Sequence, residues 1–505
     1  GVLPTVGFVV LGHQRDGTTR PMTGARFSTS NVALGALRAD TGEFQSAGVG
    51  GYATVHAQLA ELSAETLLTV HLRREIFSEG VTTAERDRMD AAAPAPDAAT
   101  TAATVDYPLE GAVMPLNVFP PKIMWTPRHT ASPTDVYRVR LERPSATIDA
   151  YFAGTPGFDN SWRMAEDAFG LLARTDIGEP IRVTVTVLSD DGLREGAPST
   201  FRTVNAVTGG SVYYWSPPQG RILRIDVERG QRVDFLPNPS SGCIACHTVS
   251  RDGQHMTANI DHAAGAGRLA EYDLTADLTG SPPPTTFQAG AGIGSASYNP
   301  DGSRLISAAH DGTHLSLLDP TTGGNLPLDV GPGNDPEWSP DGATIAYSRD
   351  NNLMLLPVTG PDAFGAPTLL HEGSTLPGGA VDWHPTWSPD SQWLIFQHGT
   401  NPYTAESASL FIMSPSVPVV PPAGGSATRL DRLNGGADRE DTFRPVFSPF
   451  DSGGYFWVAF TTTRPYGNAT AGVHGQKQIW VAAIRNHADG DPDLSEVAYY
   501  LDGQE

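Results

Sequence analysis

The chain has 505 residues, and 56 Asp and Glu residues against 33 Lys and Arg residues give a formal net charge of −23 at pH 7. This length accommodates about three domains, each large enough to bury a core of its own. The acidic excess argues against nucleic acid or an anionic membrane as a partner, because both repel negative charge. No apolar run approaches the ~20 residues that a membrane-spanning helix needs.

Short runs rich in Val, Ile, Tyr, Phe and Thr recur between clusters of Gly, Pro, Asp and Ser, which predicts an all-β chain. Residues 1–73 contain several such runs and are predicted to form a β-sandwich. Within them, residues 27–33 and 48–55 resemble the bacterial Ig-like group 2 domain. This resemblance implies a spacer or adhesive module, a location at the cell surface, and assembly through Ig-like domains.

Residues 74–104 are predicted to be a linker, because their second half is rich in Ala, Pro, Thr and Asp and has no apolar periodicity. Residues 105–208 are predicted to form a second β-sandwich. Their runs 136–141 and 181–187 alternate with a period of two, as half-buried strands do. Trp125 on an earlier strand suits an Ig-like or fibronectin III-like arrangement, in which a tryptophan of this kind is buried.

A repeated pattern predicts the architecture of residues 209–505. Each copy has an aromatic residue, a small polar residue, Pro and an acidic turn, followed by an apolar strand. Pro fixes φ, Asp bonds back to its own backbone and Gly accepts a positive φ, so the sequence Pro-Asp-Gly forms a tight turn. One such turn and four strands in roughly 40–50 residues make one blade of a β-propeller. The copies occupy residues 298–302, 338–342, 387–391 and 447–451.

The repeat resembles that of TolB-like propellers, which implies a β-propeller whose family members are known for binding partner proteins. Five blades are predicted to begin near residues 241, 292, 333, 380 and 440, and residues 211–236 supply three strands of a sixth. The predicted fold is therefore two sandwiches followed by a six-bladed propeller. The sixth blade lacks a first strand. Propellers often borrow this strand from the other terminus, in which case the chain would continue past Glu505.

The only cysteines of the chain, Cys243 and Cys246, stand in the run Cys-Ile-Ala-Cys-His, which ends at His247. This motif attaches c-type haem: both thiols add to the vinyl groups, and the histidine ligates the iron. A zinc site would need a further pair of Cys or His ligands. A redox dithiol would need a helix N-terminus in a βαβ unit, whereas this region is predicted to be strand and turn. The sequence therefore predicts one covalently bound haem c.

The haem motif fits the register of the repeat when Ser250 is aligned with Ser388. This alignment places Cys-x-x-Cys-His on the innermost strand of a blade, beside the central channel. It also places Met256 at an apolar position of the second strand, which favours a core role over iron ligation. Five residues occupy the position four before the aligned serine and are predicted to meet at one mouth of the channel: Cys246, Ser295, Asp335, His384 and Arg444.

His384 is the predicted sixth ligand of the iron, because it lies three blades from Cys246 and therefore opposite to it in a six-bladed ring. Alternatively, His384 lies in a surface turn and has no ligand role. The sixth ligand is then one of the histidines that end second strands, or the sixth position stays open. Arg444 is predicted to pair with a haem propionate, since a guanidinium suits a carboxylate. As an exposed arginine it would need no such role. The three other histidines are His262, His310 and His398.

Three functions are compatible with these features. The first is an electron-transfer cytochrome with an unidentified redox partner, the second a haem enzyme or sensor with an open axial site. The third is a structural or adhesive envelope protein in which the haem is secondary. Two strong axial ligands favour electron transfer, and an open site favours catalysis. Because the sequence begins at Gly1, we expect an export signal to have been removed, with a periplasmic, extracellular or cell-surface location.

Overall fold

The computed structural model describes residues 3–155, 157–236, 244–260, 267–280, 283–289, 293–401, 407–415, 427–469, 475–487 and 490–504. The chain divides into two units. Unit 1 contains Gly1–Asn205 and Tyr466–Ala471, and unit 2 contains Ala206–Pro465 and Gly472–Glu505. Strands make up most of the regular structure in both units, so the all-β prediction is confirmed. Within the described residues, none of the helices is long and apolar enough to cross a membrane.

The first part of unit 1 consists of short strands around a small apolar core. Sheets of three strands, with the orders β1-β6-β5 and β4-β7-β8, supply this core, and β2 pairs with β3. Leu34, Phe44 and Val55 are among its buried residues. The strands are β1 (Thr5–Gly7), β2 (Val10–His13), β3 (Thr19–Met22), β4 (Arg26–Thr29), β5 (Gly35–Leu37), β6 (Glu43–Ser46), β7 (Gly51–Leu59) and β8 (Leu62–Val70).

A larger sheet forms the rest of unit 1. Its order is β11-β18-β16-β13-β14-β9, with β17 paired to β16, and a second sheet has the order β10-β12-β15. Trp125 is fully buried among aromatic side chains, as predicted. The elements are β9 (Leu72–Phe77), α1 (Thr83–Ala91), α2 (Ala98–Thr101), β10 (Thr104–Tyr107), β11 (Ala112–Pro115), β12 (Lys122–Thr126), β13 (Val136–Arg143), β14 (Ala146–Ala153), β15 (Ser161–Arg163), α3 (Glu166–Arg174), β16 (Pro180–Ser189), β17 (Gly192–Glu195) and β18 (Ser199–Val204).

The segment 74–104, for which the sequence predicts a linker, contains regular structure. Strand β9 pairs in parallel with β14 across the predicted boundary at residue 73. Helix α1 begins with a capping box, in which Thr82 and Glu85 bond each other's backbone N–H groups. Its Met89 is buried against Tyr151 of the large sheet. The apolar side chains that hold this segment are too few and too widely spaced to produce a visible period in the sequence.

Unit 2 contains six antiparallel sheets among its described residues. Each is a meander of consecutive strands, except that β34 pairs with β32 in the fourth sheet. The strands predicted at 212–215, 222–225 and 232–235 lie within the three strands of the first sheet. The elements are β19 (Ser211–Ser216), β20 (Arg221–Asp226), β21 (Gln231–Leu236); β22 (Ala245–Val249), β23 (His255–Ile260), β24 (Arg268–Asp273), β25 (Phe287–Ala289); β26 (Ile293–Tyr298), β27 (Leu305–Ala309), β28 (Leu315–Leu318), β29 (Asn325–Leu326); β30 (Asn334–Trp338), β31 (Thr344–Arg349), β32 (Asn352–Gly360), β33 (Ala363–Phe364), β34 (Thr368–His371); β35 (Val381–Trp387), β36 (Leu394–Gly399), β37 (Ala408–Met413), β38 (Thr428–Arg429); α4 (Asp431–Asn434); and β39 (Thr442–Ser452), β40 (Tyr455–Thr462), β41 (Gln478–Arg485), β42 (Tyr499–Tyr500).

Successive sheets of unit 2 pack face to face, with their first strands together. Strands β22, β26, β30, β35 and β39 each contact the next in this series. Apolar side chains fill the space between faces; Met256, for example, is fully buried beside Ile222 of the preceding sheet, which confirms its predicted core role. Arg251, just after β22, donates hydrogen bonds to the carbonyls of Pro389 (3.3 Å) and Pro449 (2.9 Å) in sheets distant in sequence. This arrangement of meanders with adjacent first strands is that of a β-propeller.

The turn after the first strand has the same hydrogen bonds in several sheets. The serine hydroxyl donates to an aspartate two residues later and accepts the backbone N–H five residues later. Ser250 forms the same bonds as Ser388, so the predicted alignment of the haem motif with the repeat is confirmed. The distances are Ser250 to Asp252, 2.6 Å, and to His255 N, 2.9 Å; Ser339 to Asp341, 2.6 Å, and to Thr344 N, 3.0 Å; and Ser388 to Asp390, 2.5 Å, and to Trp393 N, 2.9 Å.

The copy of the pattern at 447–451 forms a different turn. Strand β39 continues through Ser448 and Pro449 to Ser452, and Asp451 pairs with Phe456 of β40. The reversal occurs at Gly453 and Gly454, both with a positive φ. Two glycines accept the left-handed backbone of a tight hairpin at no steric cost, so the hairpin extends beyond the aspartate.

Removal of a turn serine is expected to destabilise unit 2. Ser388→Ala removes the buried hydroxyl that bonds the part-buried Trp393 N–H and the exposed Asp390 carboxylate. A loss of about 1–2 kcal/mol in the free energy of unfolding is expected, because a hydrogen bond of this kind contributes a net ~0.5–1.5 kcal/mol. Urea denaturation followed by tryptophan fluorescence measures it. The exposed Ser374, whose hydroxyl donates to Glu372, is the matched control as Ser374→Ala. Equal midpoints for the two variants would contradict the proposed role of the turn.

Candidate functional site

The first strands of five sheets contain a β-bulge at the position four residues before the turn. We call the residues there the bulge positions: Cys246, Ser295, Asp335, His384 and Arg444. Three of them have a positive φ, at +43° for Asp335 and +50° for both His384 and Arg444. The bulges are register shifts between Ala245 and His247, Ile293 and Ala296, Asn334 and Glu337, Trp383 and Thr386, and Phe443 and Val446.

Four of the bulge positions interact with one another. The Asp335 backbone N–H donates to the Ser295 hydroxyl at 3.1 Å. The Asp335 carboxylate lies 2.9 Å from Nδ1 of His384, and both side chains are largely buried. Although burial acts to raise it, the pKa of Asp335 is lowered by the adjacent His384 and by the charge of Arg444. The structure thus brings the two predicted site residues His384 and Arg444 together around one carboxylate.

The two ring nitrogens of His384 have different surroundings. Nδ1 faces Asp335, whereas Nε2 is buried with no hydrogen-bond partner among the described residues. Protein atoms enclose Nε2, so a ligand reaches it only if the side chain or its neighbours turn. Arg444 is exposed, and its backbone N–H donates to Oε1 of Gln397 at 3.1 Å.

The haem motif is partly within the described residues. Cys243 lies outside them. Cys246 and His247 lie on β22, with the Cys246 side chain exposed and His247 half-buried. Burial lowers the pKa of His247, and a hydrogen bond to the backbone of Tyr213 acts in the opposite direction. A bond that favours the protonated ring is one in which the ring N–H donates, so the acceptor is the Tyr213 carbonyl.

The alternative iron ligands differ in their surroundings. His262 lies outside the described residues, and His310 is exposed just after β27. His398 is buried, with its Nδ1 2.7 Å from Oδ1 of Asp382. The other oxygen of Asp382 lies 2.6 Å from Nδ1 of His371, which is also buried. The sequence analysis did not foresee this histidine–carboxylate–histidine cluster, because its members come from three strands of two sheets.

Two further ionisable residues lie close to the bulge positions and were not predicted. Glu337 follows Asp335 on β30, and burial raises its pKa to about 8. Lys477 precedes β41, with its ammonium 4.2 Å from the ring centroid of Phe443. Burial and the like charge of Arg444 lower the pKa of Lys477. Glu337 and Lys477 lie outside the repeated turn pattern, so the alignment gave no reason to select them.

Among the described residues, no group of three or more His, Cys, Asp or Glu side chains is arranged to hold a metal ion by itself. A c-type haem needs no such group, because the porphyrin supplies four iron ligands and the protein supplies one or two axial ones. The donors present, an exposed cysteine next to a carbonyl-bonded histidine, fit this requirement.

No protein-family model matches the chain, and no curated protein sequence matches it. Solved structures are similar to it at low identity. TolB from Acinetobacter baumannii has 12% identity and a TM-score of 0.38, over 64% of this chain and 77% of that one. Putative TolB from Agrobacterium tumefaciens has 17% identity and a TM-score of 0.32, over 57% and 96%. Oligogalacturonate lyase from Vibrio parahaemolyticus has 12% identity and a TM-score of 0.34, over 61% and 87%.

The raised pKa of Glu337 predicts a pH dependence of stability. The folded state keeps a proton on Glu337 up to about pH 8, whereas the unfolded chain loses it near 4.5. The associated stabilisation is complete below pH 4.5 and is lost as the pH rises through 8. We expect Glu337 to lower the free energy of unfolding by about 2 kcal/mol between pH 5 and 8.5. A fully buried group would contribute more, at about 1.36 kcal/mol per pKa unit, but the Glu337 side chain is only half-buried and solvent reduces the effect.

Urea titrations at several pH values test this expectation with Glu337→Gln, which cannot ionise. The variant should lose the Glu337 part of the slope, so that its stability relative to the wild type rises with pH. The exposed Glu372, as Glu372→Gln, is the matched control in the same unit and should keep the wild-type slope. Parallel curves for Glu337→Gln and the wild type would exclude a raised pKa at this site.

Proposed function

We propose that the chain is an exported monohaem c-type cytochrome on a β-propeller scaffold, located in the periplasm or outside the cell, and that it transfers electrons to a redox partner. The observation that supports this is the motif Cys-Ile-Ala-Cys-His, which contains both cysteines of the chain. Cys246 and His247 lie on the first strand of their sheet, beside the first strands of the neighbouring sheets. A group attached to the exposed Cys246 is accessible to a partner protein.

Cys243 and Cys246 would hold the haem through thioether bonds, and His247 would be an axial ligand. The bound haem supplies a one-electron redox centre. The hydrogen bond of His247 to the Tyr213 backbone suits this role, because metal-ligating histidines commonly bond a backbone carbonyl through the other ring nitrogen. Burial lowers the pKa of His247. The lowered pKa favours the neutral imidazole, which is the form that binds metal ions.

His384 would be the second axial ligand. The Asp335 carboxylate beside Nδ1 and the bare Nε2 make the arrangement common among metal-ligating histidines. A second strong ligand leaves no open position for a substrate, which favours electron transfer over catalysis. Arg444, exposed at the adjacent bulge position, would pair with a haem propionate.

The propeller would close with six blades. Two contacts between the beginning and the end of unit 2 support this closure. The Val207 N–H donates to the Ser452 hydroxyl at 2.9 Å, and Gly503 packs against the Gly230 backbone. The N-terminal strands, with their apolar core between short sheets, would form the Ig-like sandwich, and residues 105–208 the fibronectin III-like one. Assembly through the Ig-like region would place the haem protein at the cell surface.

Covalent haem attachment is the first consequence to test. The full chain, exported in a host that matures c-type cytochromes, should retain its haem after denaturation and weigh one haem more than the polypeptide by intact-mass spectrometry. Cys243→Ser with Cys246→Ser removes both thioether bonds and should give the bare polypeptide mass. A wild-type mass equal to that of the bare chain would refute the cytochrome proposal.

The sixth ligand is tested by His384→Ala in the haem-loaded protein. We expect the wild type to be low-spin, because two histidines give a strong ligand field. The variant should be high-spin and should bind carbon monoxide when reduced. His310→Ala, at an exposed histidine, is the matched control and should stay low-spin. A low-spin spectrum of His384→Ala would exclude His384 as a ligand. A wild type that is itself high-spin and binds carbon monoxide would favour the enzyme or sensor.

A further inference from the structure

We propose that Arg444 and Lys477 form a carboxylate-binding pair beside the bulge positions. Both cations belong to the last sheet of unit 2. Arg444 follows Phe443 on β39, and the Lys477 ammonium lies 4.2 Å from the centroid of the Phe443 ring. The aromatic ring thus places the ammonium next to the strand that presents the guanidinium, with a favourable contact between the cation and the face of the ring.

Neither cation has an anionic partner within hydrogen-bond distance among the described residues. Arg444 and Lys477 are both exposed, and the contacts that they make are the backbone bond of Arg444 to Gln397 and the ring contact of Lys477. Two like charges in proximity repel each other. Consistent with this, the pKa of Lys477 is lowered, first by partial burial of the side chain and then by the charge of Arg444. An anion that binds between them removes the repulsion.

The carboxylates nearby do not neutralise the pair. Asp335 interacts with Arg444 at long range, but its carboxylate lies against His384 at 2.9 Å. Glu337 has a pKa of about 8 and is therefore mostly uncharged at pH 7. Arg444 and Lys477 are thus two exposed positive charges on a chain whose formal net charge is −23. They attract an anion locally, whereas the acidic chain as a whole repels it.

The chemistry of the two side chains selects a carboxylate. A guanidinium offers a planar fork of donors that matches a carboxylate, and an ammonium adds a point charge with donors that rotate freely. The carboxylate could be a propionate of the attached haem or a small free carboxylate. Binding of a propionate rests on the proposed function, because it requires the haem. Binding of a free carboxylate requires only Arg444 and Lys477.

The test uses Arg444→Gln and Lys477→Gln in the full chain, after intact mass has established whether haem is present. Lys122→Gln is the matched control, because Lys122 is the only other lysine and pairs with Asp159 in unit 1. Two measurements are made on each protein: the midpoint potential of the iron, and the affinity for succinate by isothermal titration calorimetry.

If a propionate occupies the pair, both variants change the midpoint potential, Lys122→Gln does not, and the wild type binds no succinate. If the pair takes a free carboxylate, the wild type binds succinate saturably and each variant binds it at least ten-fold more weakly. A chain without haem would refute the proposed function, and the succinate titration would still decide on the pair. The proposal would be overturned if Arg444→Gln and Lys477→Gln matched Lys122→Gln in both measurements. When haem is absent, a match in the succinate titration alone would overturn it.

Discussion

Side chains satisfy backbone N–H groups where the first strands of neighbouring sheets meet, and the site geometry depends on these bonds. A β-bulge removes a ladder partner from the backbone, and a buried N–H without a partner costs free energy. The Ser295 hydroxyl accepts the Asp335 N–H, and the Gln397 amide oxygen accepts the Arg444 N–H, each at 3.1 Å. Each acceptor belongs to the preceding sheet. Two similar bonds join Ser297 to the Trp338 N–H and Thr386 to the Phe447 N–H.

The hydrogen bonds of the repeated turn explain why a register derived from the sequence located the bulge positions. The Ser-Pro-Asp-Gly turn is determined by residues within five positions of one another, so its chemistry is visible in the sequence. Ser250 lacks the proline yet forms the same bonds as Ser388, because the serine and aspartate are the residues that bond. Once the turn is located, the position four before it follows in each sheet. This is why His384 and Arg444 were predicted to lie together and are found around Asp335.

The features that the sequence did not reveal depend on contacts between distant segments. Strand β9 pairs in parallel with β14, and nothing within 72–77 indicates this partner. Arg143 is buried and donates to the carbonyls of Leu172, Ala173 and Thr175, which end helix α3. The cluster of two histidines around Asp382 forms for the same reason. The start of α1 is different, since Thr82 and Glu85 have the spacing of a capping box and would have predicted the helix.

Asp335 links the iron-ligand proposal to the carboxylate proposal. Its backbone is held by Ser295, its carboxylate faces His384, and its charge acts on Arg444. Ligation of iron through Nε2 would leave Nδ1 beside this carboxylate, so Asp335 would keep its position between His384 and Arg444. The iron-ligand proposal and the carboxylate proposal therefore depend on one buried side chain, which is placed by the Ser295 hydroxyl of the preceding sheet.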